Sequence, residues 1–227
     1  MRFRFNCWLI ALGFLCGLIL ICKIAQGDTL VVSGSWAERD CHQEWAMWAL
    51  NATSRLAGPT TSLATPIGQT VIDNAFGKSM FYMAAHSDHY ISWPGCDMVD
   101  PWKDELRADA FNIEKPFDFA FIAGCGALCR TGFGTFANIA IDAVGYCGMA
   151  EPQCAGCWSA NALSFQDFMF MEMADGRPVG EAHQAASNKF PECRGCIRYS
   201  HHDTPIPTLE KNQIVMTIIV PWLMRKR

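Results

Sequence analysis

Met80-Phe81-Tyr82-Met83-Ala84-Ala85-His86 is the stretch whose reading decides the fold: six apolar or small residues with no polar alternation, closed by an imidazole. A short apolar run without a polar face reads as a strand buried on both sides, the kind found inside a parallel sheet. A second such run, residues 117–124, ends at Cys125. A nucleophilic cysteine needs a base within hydrogen-bond reach. Two neighbouring parallel strands supply that geometry when the base and the thiol both stand at carboxyl ends. The two runs therefore predict His86 and Cys125 as a catalytic pair on one rim of a sheet.

Working outward, residues 28–34 form a short β-branched run, and residues 37–56 place Trp45, Trp48, Ala49 and Leu56 at helix-like intervals. Gly58-Pro59 ends that helix, and residues 66–75 can form another. Beyond Cys125, residues 136–141 read as a helix, 143–147 as a strand, 162–174 and 179–189 as helices, and 196–200 as a further strand. The Met-rich stretch 168–173 has the spacing of a helix face turned to the core. Strands alternating with helices predict an α/β fold, a mostly parallel sheet with helices on both faces, in one domain over 28–210. The polar segment 87–116, with Trp93, Asp100 and Trp102, reads as a lid or as a cover for the sheet.

The chain's 227 residues suit one such domain with a full core. With 51% apolar residues, 18% charged residues and a net charge of -4, neither a disordered chain nor a nucleic-acid partner is expected. Residues 1–27 read differently: Arg2 and Arg4, an apolar run from Cys7 to Cys22, then Lys23 and Ala25-Gln26-Gly27. That is the layout of a signal peptide, with an uncleaved N-terminal anchor as the rival reading and the only expected membrane contact. Either way the rest of the chain is expected to be secreted or extracytoplasmic. The tail, 211–227, is apolar with a basic Arg225-Lys226-Arg227 end and is interrupted by Pro221, too short to span a bilayer comfortably.

Nine cysteines follow the leader, an odd number, and four disulfides with one free thiol is the simplest arithmetic for an oxidising compartment. Four of the nine lie in a small repeat, Pro152-Gln153-Cys154-Ala155-Gly156-Cys157 and Pro191-Glu192-Cys193-Arg194-Gly195-Cys196. Three readings stand for Cys154, Cys157, Cys193 and Cys196: disulfides, within or across the two turns, a structural zinc held by four thiolates, or, as the minor alternative, a redox-active Cys-x-x-Cys. No other cofactor is expected.

The order of apolar strand then His, about forty residues, and apolar strand then Cys resembles the caspase-like cysteine peptidases of the gingipain and CHAT branches. The motif around His86, the motif Phe119-Ala120-Phe121-Ile122-Ala123-Gly124-Cys125, and Gly176-Arg177-Pro178-Val179-Gly180-Glu181-Ala182 carry the likeness. The resemblance implies a caspase-like fold and a peptide or protein substrate. It implies attack by Cys125 on an amide carbonyl, His86 giving the proton to the leaving amine, and backbone N–H groups near Ser87 and Cys125 steadying the oxyanion. It also implies a first pocket that selects by charge, with loops bearing Asp97, Asp100, Asp142 or Glu151 as carriers.

The chain departs from that pattern twice. Ser87 stands where the family has Gly, and Ala123-Gly124 stand where it has an acidic residue or Gln followed by Ala. These departures favour an alternative from another class, a non-catalytic, disulfide-strapped binding module. A further alternative is a metallo-β-lactamase-type hydrolase with zinc on His86, Asp88 and His89, although Ala84 stands where that motif has its first His. Cys125 joined to Cys129 or Cys147 would remove the nucleophile. His201-His202-Asp203 reads as a solvated loop, with metal ligation as the lesser alternative.

Overall fold

A computed structural model describes residues 28–34, 50, 53–54, 59–95, 105–111, 116–148, 152–157 and 160–202. Its strands are β1 (Thr29–Ser33), β2 (Thr60–Ala64), β3 (Met80–Ala84), β4 (His86–Ser87), β5 (Ile91–Trp93), β6 (Leu106–Arg107), β7 (Phe117–Ala123), β8 (Ala140–Tyr146) and β9 (Ile197–His201). Its helices are α1 (Gly68–Ala75), α2 (Ala160–Ala174) and α3 (Val179–Lys189). The main sheet has the order β2-β1-β3-β7-β8-β9, parallel throughout except for β9, which runs antiparallel to β8.

The apolar runs became the central strands for the reason their composition implies. β1, β3, β7 and β8 are buried on both faces along most of their length, with Asp118 near the start of β7 the exposed exception. Tyr82, Phe121, Val144 and Tyr146 pack with Phe165, Met169, Phe170, Ala182 and Ala186 beneath α2 and α3. Leu30, Val32, Met83, Ala120 and Ile122 pack on the opposite face, where Val71 of α1 joins them. The fold is thus a single α/β domain with helices on both faces.

Several local readings need correction. Residues 136–141 are a 3-10 turn (Phe136–Asn138) leading straight into β8; Ala140, Ala143 and Val144 are buried across both faces, a strand's burial rather than a helix's. β2 was not legible, because Thr60-Thr61-Ser62-Leu63-Ala64 is an edge strand with exposed and half-buried positions alternating. His201 does not lie in a solvated loop but closes β9, its Nδ1 2.6 Å from the Asp142 carboxylate, while His202 donates from Nε2 to the Ala137 carbonyl at 2.9 Å. The described part of 87–116 contributes a small antiparallel sheet, β4-β5-β6, beside the rim where β3 ends. The leader, most of the helix expected over 37–56, and the C-terminal tail lie outside the described residues. Among the described residues no helix is long and apolar enough to cross a membrane.

Candidate active site

Position on the rim follows from register. β3 and β7 are hydrogen-bonded neighbours with Ala84 opposite Ala123, and Ala85 N–H donates to the Ala123 carbonyl at 3.4 Å. His86 and Cys125 each lie two residues beyond that pair, so they leave the sheet at the same end. Alternation assigns the faces: Tyr82, Ala84, Phe119, Phe121 and Ala123 all belong to the core under α2 and α3, and Cys125 packs against the same cluster. His86 has the parity of Tyr82 and Ala84 and is exposed at the rim, where β4 begins.

The turn that follows Cys125 is held from several sides. Gly124 carbonyl accepts from Ala127 N–H at 3.2 Å and Gly126 carbonyl from Cys129 N–H at 3.0 Å. Gly126 has φ +74°, a left-handed conformation that favours glycine directly after the thiol-bearing residue. Leu128 N–H donates to the Tyr146 carbonyl, and a Cys129–Cys147 disulfide ties the turn to the end of β8. The expectation that Cys125 could be a half-cystine is therefore overturned: its two candidate partners bond each other, and Cys125 is the free cysteine among those described. Cys41 and Cys96 lie outside the described residues.

The His-bearing side is fixed in a matching way. Ser92, fully buried, donates its hydroxyl to the His86 carbonyl at 2.9 Å, and His86 pairs with Trp93 across β4 and β5. Ser87 Oγ lies 3.4 Å from the Cys125 carbonyl, to which it donates. Asp88 accepts from the backbone N–H groups of Tyr90 and Ile91 at 2.6 and 2.8 Å, and so builds the turn into β5. Sequence reading missed Ser92 and the Ser87 side chain; a hydroxyl's role here depends on which carbonyl the fold brings to it.

Electrostatically the thiol is not pre-ionised by its surroundings. Burial pushes the Cys125 thiol up, partly offset by its own backbone N–H. A half-buried thiol kept neutral needs a base to take its proton as attack begins. Beneath it lies a buried polar chain: Tyr82 donates to Gln166 Oε1 at 2.7 Å, and Gln166 Nε2 donates to the Tyr146 hydroxyl. Burial raises both phenols well above their ordinary range, with Tyr82 and then Cys125 adding to the effect on Tyr146, so both remain neutral hydrogen-bonding groups.

The paired Cys-x-Gly-Cys turns are strapped across each other, Cys154 to Cys196 and Cys157 to Cys193, and both turns are 3-10 in conformation where they begin. Among the described residues no group of three His, Cys, Asp or Glu side chains is placed to hold a metal ion. Of the acidic residues considered for the first pocket, Asp97, Asp100 and Glu151 lie outside the described residues. Asp142 is too far from the rim to line that pocket, because it pairs in register with Phe119, six residues before Cys125, about 20 Å down the strand. There it accepts from the Tyr199 hydroxyl at 2.7 Å and pairs with His201, whose ring closes that end of β9.

Comparison with solved structures decides the architecture. The chain superposes on gingipain R, an Arg-specific cysteine proteinase, with a TM-score of 0.50 at 12% identity. The fold is caspase-like. The match covers 78% of this chain and 46% of the gingipain chain, so the chain spans about half the length of that protein. No family model matches the sequence, and no curated protein matches it.

Proposed function

We propose that the chain is an exported caspase-like cysteine peptidase, with Cys125 as nucleophile and His86 as its proton-transfer partner. The observation that carries this reading is an unbonded sulfur at the carboxyl end of β7, beside the end of β3 that bears His86. Cys125 Sγ adds to the scissile carbonyl, and its proton passes by way of His86 to the leaving amine nitrogen. The C–N bond breaks and a thioester remains, which water hydrolyses to return the thiol. Backbone N–H groups at Ser87 and Cys125 are the proposed donors to the developing oxyanion. The strapped cysteines support export, since disulfides persist in oxidising compartments. We assign Cys154, Cys157, Cys193 and Cys196 to covalent straps rather than to zinc.

One observation favours the second reading, a binding module that has kept the sheet and lost the chemistry: burial holds the Cys125 thiol up rather than down. Iodoacetamide labelling of the folded, oxidised protein separates the two, combined with digestion of a peptide library. The peptidase gives one reactive thiol, lost in Cys125→Ala and slowed in His86→Ala, with peptide cleavage lost in both. An unreactive Cys125, or labelling indifferent to His86 with no peptide cleaved, sinks the proposal.

A further inference from the structure

Ser87 and Gly124 are the two positions flanking the candidate pair at which the chain departs from the caspase-like pattern, and in three dimensions they occupy one space. A Cβ placed on Gly124 would overlap Ser87 Oγ, would lie 3.0 Å from Ser87 Cβ and 2.7 Å from the Ala85 carbonyl oxygen. Gly124 is not in the left-handed region, unlike Gly126. Glycine is therefore required at 124 for room and not for backbone freedom. What fills the room is the Ser87 side chain, itself nearly buried, whose hydroxyl donates to the Cys125 carbonyl.

The consequence is mechanical. Ser87 follows His86 in the chain, and Gly124 precedes Cys125. A side chain that sits over Gly124 and bonds the Cys125 carbonyl fixes the segment bearing the imidazole against the turn bearing the thiol. The neighbouring contact, Ser92 Oγ to the His86 carbonyl, holds the other side of the same segment. We propose that the Ser87 side chain is a positioning residue for Cys125 and His86, seated in a socket that only glycine at 124 leaves open. The departures at positions 87 and 124 are then one compensated exchange, and Ser87 acts through its side chain in addition to any part its backbone takes.

The catalytic half of this inference rests on the peptidase reading; the packing half does not, and the test separates them. Gly124→Ala, Ser87→Gly, Ser87→Ala, the double variant Ser87→Gly/Gly124→Ala and His86→Ala are compared by thermal melting, by the pH-dependent rate of iodoacetamide labelling at Cys125, and by peptide cleavage. Gly124→Ala displaces the rim, and a shift of about 1 Å lowers kcat/KM by about a hundredfold, with a lowered melting temperature and an altered labelling rate. The double variant removes two of the three obstructing atoms, both from the Ser87 side chain, and leaves the Ala85 carbonyl oxygen as the remaining close contact. It recovers the melting temperature and returns labelling and cleavage to within about tenfold of the unmodified protein, as coupled neighbours do.

Ser87→Ala keeps the Cβ and the fold but loses the bond to the Cys125 carbonyl. Its labelling profile against pH moves toward that of His86→Ala, which a merely space-filling serine would not produce. The proposal is overturned if Gly124→Ala behaves as the unmodified protein, if the double variant is no better than Gly124→Ala whether or not the latter folds, or if the Ser87→Ala profile stays put. An unmodified protein that cleaves no peptide, while the double variant still restores the labelling rate lost in Gly124→Ala, ends the peptidase reading and upholds the Ser87 and Gly124 socket.

Discussion

Removing both cross-straps is expected to cost more than the two removals measured singly, and the size of the excess follows from where the bridges sit. Cys154–Cys196 closes a loop with a sequence separation of 42 and Cys157–Cys193 one of 36. Taken alone, each restricts the unfolded chain by about 3.8–4 kcal/mol in the chain-entropy account. They are nested, however. Once one is closed, the other completes only a small ring made of the two four-residue arms 154–157 and 193–196, worth about 2.5 kcal/mol. Cys154→Ala/Cys196→Ala and Cys157→Ala/Cys193→Ala should therefore each lose about 2.5 kcal/mol, since the surviving strap still holds the long loop. The quadruple variant should lose about 6.4 kcal/mol, more than the singles together by about 1.4. That loss is comparable to the whole stability of many domains, so the quadruple variant stands near unfolding.

Urea unfolding of the four proteins reads this directly, with m-values expected to rise as straps are removed because the less constrained unfolded chain exposes more surface. All four positions are buried, so the alanine replacements leave similar small vacancies and the cavity contribution largely cancels in the comparison. Strict additivity, or a single-strap loss near 4 kcal/mol, would show that the bridges act on separate loops and that the nested arrangement is wrong.

Two further outcomes follow from the core beneath the rim. Gln166→Leu leaves the buried hydroxyls of Tyr82 and Tyr146 without the amide between them. It should cost about 2–6 kcal/mol by urea unfolding, most of it recovered when both tyrosines are also changed to Phe; an unchanged triple-variant deficit would point to lost packing instead. His183 donates to the Ile197 carbonyl at 3.0 Å while burial holds its imidazole below the ordinary 6.5. As pH falls through 6.5 the unfolded chain takes up this proton first, so stability declines with acidity. His183→Gln should flatten the decline by up to about 1.4 kcal/mol per pH unit, and an identical slope in the variant would refute the assignment.

How much was legible depended on how much each segment's local pattern agreed with its surroundings. The runs that became β3 and β7 and the second half of β8 are apolar on both faces but for Asp118, as suits the middle of a parallel sheet. α3 is marked at the sequence level by Pro178 before it, Glu181 in its first turn and Lys189 in its last, which suit the helix dipole. By contrast, β2 is made of Thr, Ser, Leu and Ala with an exposed face, and it is a strand because β1 offers it a hydrogen-bonding edge. Residues 136–139 have helical propensity, but the strand that follows claims Ala140 onward for pairing with β7, leaving room for only one 3-10 turn.

At the rim, the placement of His86 and Cys125 at the ends of two buried strands could be read from the pattern, since burial and strand length are local properties of composition. Nothing local said which cysteines pair. Cys129 bonds Cys147 because the turn after β7 folds back on the end of β8, and that same contact leaves Cys125 as the free thiol among the described cysteines. The Pro-x-Cys-x-Gly-Cys repeats likewise cross-strap because β9 returns antiparallel along β8 and carries the second turn to the first.

Taken alone, the order of residues determined the buried central strands, the helices that pack on them and the rim on which an imidazole and a sulfhydryl stand, but not the edge strand β2 or the turn before β8. Periodicity and burial are written into each short segment, whatever lies elsewhere. The tertiary structure decided the partners: which sulfur stays single, which carbonyl the Ser87 hydroxyl reaches, and why position 124 has no side chain. Those are distances between segments far apart in the chain, and only the folded backbone sets them.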